Sequence, residues 1–147
     1  MYKSMLIATD GSEISKRATR HGMHLAKVLA VPVTAVFVID TRALPLSHPI
    51  VPEAVAPYYH SLLAEMRSFG EAAVGEIAAE GAVAGVPVEW EVIEGTPAAG
   101  ILATAKKISA DLIVMGTHGR SAIGTFFLGS TAQAVCHGTH VPVLLVR

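Results

Sequence analysis

Short apolar stretches that alternate with helical patterns constrain the fold of this chain most strongly. Four nearly uninterrupted apolar stretches occur, at residues 5–8, 33–39, 111–115 and 142–146. A strand of this composition is buried on both faces, which is the environment of a parallel sheet covered by helices. A fifth stretch, residues 86–94, alternates apolar and acidic side chains, so it is predicted to be a half-exposed strand at a sheet edge.

Between these strands, apolar residues recur at helical spacing. Ser12 is predicted to cap the first helix, and Thr96 with Pro97 to begin the third. The predicted helices cover residues 12–30, 58–85, 96–108 and 130–137. Strands and helices therefore alternate along the chain, which calls for an α/β fold: a parallel sheet with helices on both faces and right-handed crossovers.

The length of 147 residues corresponds to a single domain, residues 1–147. Ligands of such sheets bind beyond the carboxyl ends of the strands, where the strand order reverses. Strands one and four end in unusual chemistry, at Thr9-Asp10 and at Met115-Gly116. Placing these two strands side by side predicts a three-layer sandwich of strand order 3-2-1-4-5, with the alternating strand at one edge.

A glycine-rich motif follows the fourth strand. It reads G-x2-G-x9-G-S and consists of Gly116, Gly119, Gly129 and Ser130. Glycine permits φ > 0 and leaves room for a ligand beside the backbone. Ser130 is expected to begin a helix in a capping box with Gln133, so that the positive helix end faces a phosphate. The motif predicts a phosphate-binding loop, although turns alone would also account for three glycines in a surface loop.

Composition narrows the possible partners and the compartment. Eleven basic and twelve acidic residues give a net charge of −1, which provides no field for nucleic acid or an anionic membrane. No apolar run approaches the roughly 18 residues of a membrane span. The sole cysteine, Cys136, cannot form an internal disulfide, and no charged leader precedes the first strand. We therefore expect a cytoplasmic protein.

Two segments are predicted to have roles beyond the core. Residues 40–57 lose helical and strand periodicity and contain four of the eight prolines, so they are expected to form a functional or mobile loop after the second strand. The last strand is apolar and would lie at the second sheet edge, where an uncovered apolar strand invites association. We expect it to pair with a second copy through Val141, Pro142, Val143, Leu144, Leu145 and Val146.

Other nucleotide and metal motifs are not matched. No G-x4-G-K-(S/T) occurs, and the nine-residue gap differs from the dinucleotide pattern G-x-G-x-x-G. Seven histidines form no H-E-x-x-H or Cys/His ligand set. No general base and no Ser-His-Asp arrangement can be identified from spacing, so no catalytic residue is predicted.

Several segments together resemble the universal stress protein family, in its ATP-binding subclass. They are I-A-T-D-G-S near the start, F-V-I-D after the second strand, G-T-P, D-L-I-V-M-G-T-H-G-R with the complete glycine motif, and V-P-V-L-L-V at the end. The resemblance implies the adenine-nucleotide alpha hydrolase-like fold, a homodimer formed through the last strand, and bound ATP with Mg²⁺. It implies nucleotide contacts at Ala8, Thr9, Asp10, Val38, Met115, Gly116, Gly119, Arg120, Gly129, Ser130 and Thr131.

Two residues of this implied site have alternative roles. Asp10 would bind ribose hydroxyls or a magnesium ion on the phosphates, with capping of the first helix as its alternative role. Arg120 would reach a phosphate or point to solvent. The leading hypothesis is a binding module in which ATP occupancy regulates an unidentified protein partner. The alternatives are a weak ATPase or a protein phosphorylated on its own loop, at Ser121 or Thr125, and an interaction protein of the same fold that has lost nucleotide.

Overall fold

The computed structural model describes residues 2–44, 52–119 and 128–147, in which a five-stranded parallel sheet lies between two layers of helices. The strands are β1 (Met5–Ala8), β2 (Val33–Asp40), β3 (Val88–Gly95), β4 (Leu112–Gly116) and β5 (Val143–Val146). The helices are α1 (Glu13–Leu29), α2 (Ala56–Ala84), α3 (Pro97–Lys107) and α4 (Ser130–Gly138), and a short 3₁₀ helix, Thr41–Ala43, follows β2. The strand order is β3-β2-β1-β4-β5, which confirms the predicted topology and the edge position of β3.

The core has two halves, one on each face of the sheet. Along β1, Met5 and Ile7 pack toward α1 and α2, whereas Leu6 and Ala8 pack toward α3 and α4. Met5, Leu6 and Ile7 are fully buried. Burial on both faces is the physical reason for the uninterrupted apolar run that predicted a central strand.

Helices α1 and α4 begin differently. Ser12 caps α1 as predicted, its Oγ accepting the Ser15 N–H at 3.2 Å. The capping box predicted for α4 is wrong. Gly129 occupies the cap position and Ser130 is the first helical residue, while Gln133 Nε2 donates to Leu128 O. The reason is a tertiary hydrogen bond from the Gly129 N–H to Thr117 O, which holds Gly129 extended and makes the helix begin one residue earlier than the side-chain pattern suggests.

A polar contact fastens the edge strand β3 to α3. Glu91 accepts hydrogen bonds from Thr104 Oγ1 at 2.9 Å and from Lys107 Nζ at 2.7 Å. The hydrogen bond from Lys107 holds the pKa of Glu91 below its ordinary value of 4.5. The contact therefore supplies both an acceptor for a buried hydroxyl and a half-exposed ion pair.

We expect Glu91→Gln to lower the free energy of unfolding by less than about 1 kcal/mol near neutral pH, because Gln keeps an acceptor for Thr104 and removes only the charge. A carboxylate whose folded pKa is lowered stabilises the protein above its unfolded pKa and loses that effect as the pH falls through the folded pKa. Denaturant titrations of both proteins at about pH 7 and about pH 3 should show the difference shrinking. A difference that grows on acidification contradicts this assignment, and Glu89→Gln, at an exposed position of the same strand, is the control.

None of the helices in the described ranges combines the length and the apolar composition that a membrane crossing requires.

Candidate functional site

The turn after β1 presents Asp10 at the carboxyl end of the sheet. Asp10 Oδ1 accepts the Ser12 N–H at 3.0 Å, and Thr9 Oγ1 accepts the Gly11 N–H at 3.1 Å. Gly11 has φ +78°, a left-handed conformation that residues with a Cβ rarely adopt. Since Ser12 caps α1, Asp10 is not the helix cap. Its carboxylate is oriented by the turn instead.

A pair of side-chain hydroxyls stabilises this turn. Thr9 and Ser15 are both buried, and their side-chain oxygens lie 3.1 Å apart. Ser15 Oγ also donates to Ser12 O at 2.8 Å, and Thr9 N–H donates to Val36 O at 3.0 Å. The turn is thus connected both to α1 and to β2. Sequence patterns did not predict Ser15 as part of the site, because a serine in the first turn of a helix has too many ordinary roles to be informative.

Gly116, the last residue of β4, has a packing role. A Cβ at this position would lie 2.8 Å from Ile14 Cγ2 and 3.4 Å from the Ile14 carbonyl carbon. A side chain here would therefore push α1 away from the sheet. The close approach of α1 explains why glycine stands at this position without reference to any ligand.

Gly129 closes the base of the glycine loop. Its N–H donates to Thr117 O at 2.8 Å, and Thr117 N–H in turn donates to Val146 O of β5 at 2.9 Å. A Cβ on Gly129 would lie 3.1 Å from Thr117 O and 3.3 Å from His118 Cα. Both neighbours are backbone atoms that cannot rotate away, so a side chain here would force the two ends of the loop apart by a few tenths of an ångström.

Gly119 brings the loop to Asp10. A Cβ on Gly119 would lie 3.0 Å from Asp10 Oδ2, so the loop backbone and the carboxylate are close neighbours. The candidate binding residues after β1 and after β4 therefore lie close together, as expected for neighbouring strands. Here the strand order reverses, which is the usual ligand position in open α/β sheets.

His118 is a member of the loop that the glycine pattern did not single out. Its Nδ1 lies 2.9 Å from Thr117 Oγ1. Its Nε2 is buried, and no partner for it occurs within the described part of the chain. A buried polar atom without a partner is unfavourable, so this nitrogen marks a position where an additional polar group would be stabilised. The sequence signal that could have identified His118 is the T-H-G triplet.

The N-terminus of α4 lies at the same carboxyl end of the sheet. Ser130 and Thr131 are its first two residues, and among the described residues no side chain caps this helix end. Backbone N–H groups at the start of a helix are suited to an anion. Of the other predicted contacts, Ala8 ends β1 and Met115 lies in β4, both buried.

Val38 and Asp40 lie near the end of β2. Val38 is two residues beyond Val36, the β2 partner of Ala8, and it packs against α3 at Gly100, where a Cβ would lie 2.9 Å from Val38 Cγ2. Asp40 is held by Arg42, whose Nε and Nη2 donate to the two carboxylate oxygens at 2.9 and 2.8 Å. The pKa of Asp40 is lowered chiefly by this hydrogen-bonded guanidinium. Arg42 therefore neutralises the acidic residue that follows the β2 backbone position expected near adenine.

Arg120, Ser121 and Thr125 lie outside the described residues, as do residues 45–51 of the predicted 40–57 loop. In the described ranges, no three His, Cys, Asp or Glu side chains are grouped closely enough to hold a metal ion by themselves. The described site consists of the Asp10 turn, the two ends of the glycine loop and the N-terminus of α4.

Comparison with known proteins gives a consistent result along the whole chain. Residues 1–147 match the model of the universal stress protein family. A universal stress protein of Thermus aquaticus is 34% identical over 148 residues, covering all of both chains. Universal stress protein MJ0531 of Methanocaldococcus jannaschii is 33% identical over 147 residues, which cover all of this chain and 83% of the relative.

Solved structures with the same fold include proteins bound to nucleotides. The structure of MJ0577, another universal stress protein of Methanocaldococcus jannaschii, has a TM-score of 0.85 at 27% identity and covers 99% of this chain and 96% of its own. A universal stress protein in complex with cAMP has a TM-score of 0.69 at 23% identity, covering 99% and 97%. One from Archaeoglobus fulgidus in complex with dAMP has a TM-score of 0.62 at 20% identity, covering 99% and 98%.

Proposed function

This chain belongs to the universal stress protein family, and we propose that it binds ATP with Mg²⁺ as a regulatory module rather than turning it over. The observation that supports this most directly is the meeting of Asp10 and Gly119 at the point where the strand order reverses. A carboxylate, the backbone of Gly119 and a helix N-terminus lie at the carboxyl end of the sheet. Groups of these kinds bind phosphate and magnesium ions in proteins, and a carboxylate also accepts hydrogen bonds from ribose hydroxyls.

The described ends of the loop support a nucleotide phosphate as its ligand. A Cβ on Gly119 would lie 3.0 Å from Asp10 Oδ2 and one on Gly129 3.1 Å from Thr117 O, so both positions favour glycine. The N-terminus of α4 offers backbone donors. The Nε2 of His118, which forms no hydrogen bond with any described residue, would be satisfied by a polar ligand atom. The cAMP and dAMP complexes of proteins with the same fold support a nucleotide as the ligand class, and the complete motif of the ATP-binding subclass supports ATP.

Mg²⁺ fits as a companion of the phosphates and not as a separate site. Magnesium in nucleotide sites is held by one or two carboxylates together with phosphate oxygens and water. Asp10 is the carboxylate in position to take this part, and its Oδ2 faces the loop at Gly119. When bound, the ion would neutralise phosphate charge. The protein would contribute the oriented carboxylate, the backbone donors of α4 and the closed base of the loop.

The biological setting of this module is also a proposal. We place it in the cytoplasm, as a homodimer formed through β5, where ATP occupancy alters the surface around residues 40–57 and its contact with a protein partner. The single exposed thiol, Cys136, accords with a reducing compartment. The edge position of β5 supports the homodimer, because within the described part of the chain this apolar strand pairs with β4 alone.

The proposal is tested by titrating purified protein with Mg-ATP in a calorimeter and by identifying any nucleotide released on denaturation. A protein that retains no nucleotide and gives no heat with Mg-ATP is not an ATP-binding module. Binding of Mg-ATP without hydrolysis supports the regulatory role.

We expect Asp10→Asn to weaken Mg-ATP binding by about tenfold to 100-fold. Asn keeps an acceptor for the Ser12 N–H, so the turn is retained and only the charge is lost. If Asp10 contacts the metal, the loss is much smaller when Mg²⁺ is removed. An equal loss with and without Mg²⁺ assigns Asp10 to ribose, and an unchanged affinity removes it from the site. Glu13→Gln, at the adjacent exposed acid in the first turn of α1, controls for net charge.

A further inference from the structure

The ring of Phe69, on α2, lies directly against the turn that presents Asp10. A Cβ on Gly11 would lie 2.7 Å from both Cε1 and Cζ of Phe69, so the ring contacts the Gly11 backbone with no side chain between them. Gly11 is the left-handed residue of this turn, with φ +78°. The contact therefore falls on the residue whose conformation decides where the preceding carboxylate points.

Phe69 is supported from its other side by the core. Its ring meets Phe37 edge-on, with centroids 5.8 Å apart and planes inclined at 67°, and Phe37 is 2% exposed. Phe37 and Phe69 also line an open groove of about 200 Å³ beside α2. Phe69 is itself 44% exposed. A large apolar ring left this exposed is better explained by its contact with the turn than by core burial.

One of the hydrogen bonds that shape the turn is made by its ligand-binding side chain. The Ser12 N–H is bonded to Asp10 Oδ1, which is an oxygen of the carboxylate that would meet ribose or magnesium. A ligand that competes for this carboxylate weakens the bond that shapes the turn. An external support that does not involve the carboxylate would keep the turn in place during binding, and the Phe69 ring has that position.

We propose that Phe69 is a positioning residue of the nucleotide site, which holds Gly11 in its left-handed conformation and thereby orients the Asp10 carboxylate. This inference rests on the proposed function for its ligand, but the positioning of the turn itself does not require nucleotide. Phe69 acts through Gly11 and does not touch the nucleotide.

The first test is a double-mutant cycle read by Mg-ATP affinity. Phe69→Ala should weaken binding at least about tenfold, and Phe69→Leu should be intermediate. Gly11→Ala should weaken binding at least about fivefold less in the Phe69→Ala background than in the wild type, because the ring it would meet is gone. Met66→Ala, which truncates another wall of the same groove, should change affinity less than about twofold and leave the effect of Gly11→Ala unchanged. Equal effects of Gly11→Ala in all three backgrounds overturn the proposal.

The second test needs no nucleotide and separates the two proposals. Amide exchange of Ser12 in the ligand-free protein should be at least about tenfold faster in Phe69→Ala than in wild type or Met66→Ala. The Thr9 amide, which is bonded to Val36 O in the sheet, serves as the internal reference. Unchanged Ser12 exchange overturns the positioning role of Phe69. A wild type that binds no Mg-ATP overturns the proposed function and leaves the exchange result to decide the role of Phe69.

Discussion

Gly129→Val is expected to abolish ATP retention and to weaken Mg-ATP binding at least about 100-fold. The first atom of any side chain at this position would already lie 3.1 Å from Thr117 O and 3.3 Å from His118 Cα, and valine adds two methyl groups. The Gly129–Thr117 hydrogen bond must then break or stretch. The loop would open at its base, and the N-terminus of α4 would move away from Asp10.

The measurement compares the nucleotide released by freshly purified wild-type and variant protein, separated by ion-exchange chromatography with mass detection, and then titrates both with Mg-ATP. Gly75→Val is the matched control, because Gly75 lies on α2 and a Cβ there meets nothing within 4 Å. Overpacking costs typically about 1–3 kcal/mol, so thermal unfolding of both variants is recorded as well. If Gly129→Val binds Mg-ATP like wild type, closure of the loop at Gly129 is not required for binding.

The fold could be predicted from the sequence because its signals are local and repeated. Apolar runs such as residues 5–8 reveal burial on both faces, and the alternating stretch that became β3 reveals an edge. The ends of β1 and β4 then fix the strand order through a general rule on where such sheets bind ligands. Each strand and each helix was thus recognised from residues close together in the chain.

The details that the sequence did not predict depend on contacts between distant segments. Ser130 and Gln133 have the pattern of a capping box, but the bond between Gly129 N–H and Thr117 O decides where α4 begins. Gly116 matches a binding motif, yet its immediate neighbour is Ile14. Helical periodicity places Phe69 among the apolar residues of α2 without showing that its ring reaches Gly11. Local propensity carries no information on such encounters.

The edge of β5, where no other described strand pairs, leads to the second large expected effect. Leu145→Pro should convert the proposed homodimer into a monomer of 15.3 kDa. Pro142 O and Val146 O accept hydrogen bonds from β4, namely from Ile113 N–H and Thr117 N–H. Because alternate residues of a strand face the same neighbour, the N–H of Leu145 points to the open edge. Proline there removes a donor needed for pairing with a second copy while the β4 ladder is retained.

We expect the dimer dissociation constant to rise at least about 100-fold. A two-fold symmetric interface contains the substitution twice, so each copy loses the N–H donor of Leu145 and gains a proline ring. Analytical ultracentrifugation over a range of concentrations measures this.

Trp90→Pro is the matched control on the opposite edge. Arg67 Nη1 donates to Val92 O from outside the sheet, so Val92, and Trp90 two residues earlier, face the open edge of β3. Dissociation by Leu145→Pro but not by Trp90→Pro assigns the interface to β5. A monomeric wild type, or a Leu145→Pro protein that stays dimeric, excludes β5 as the interface.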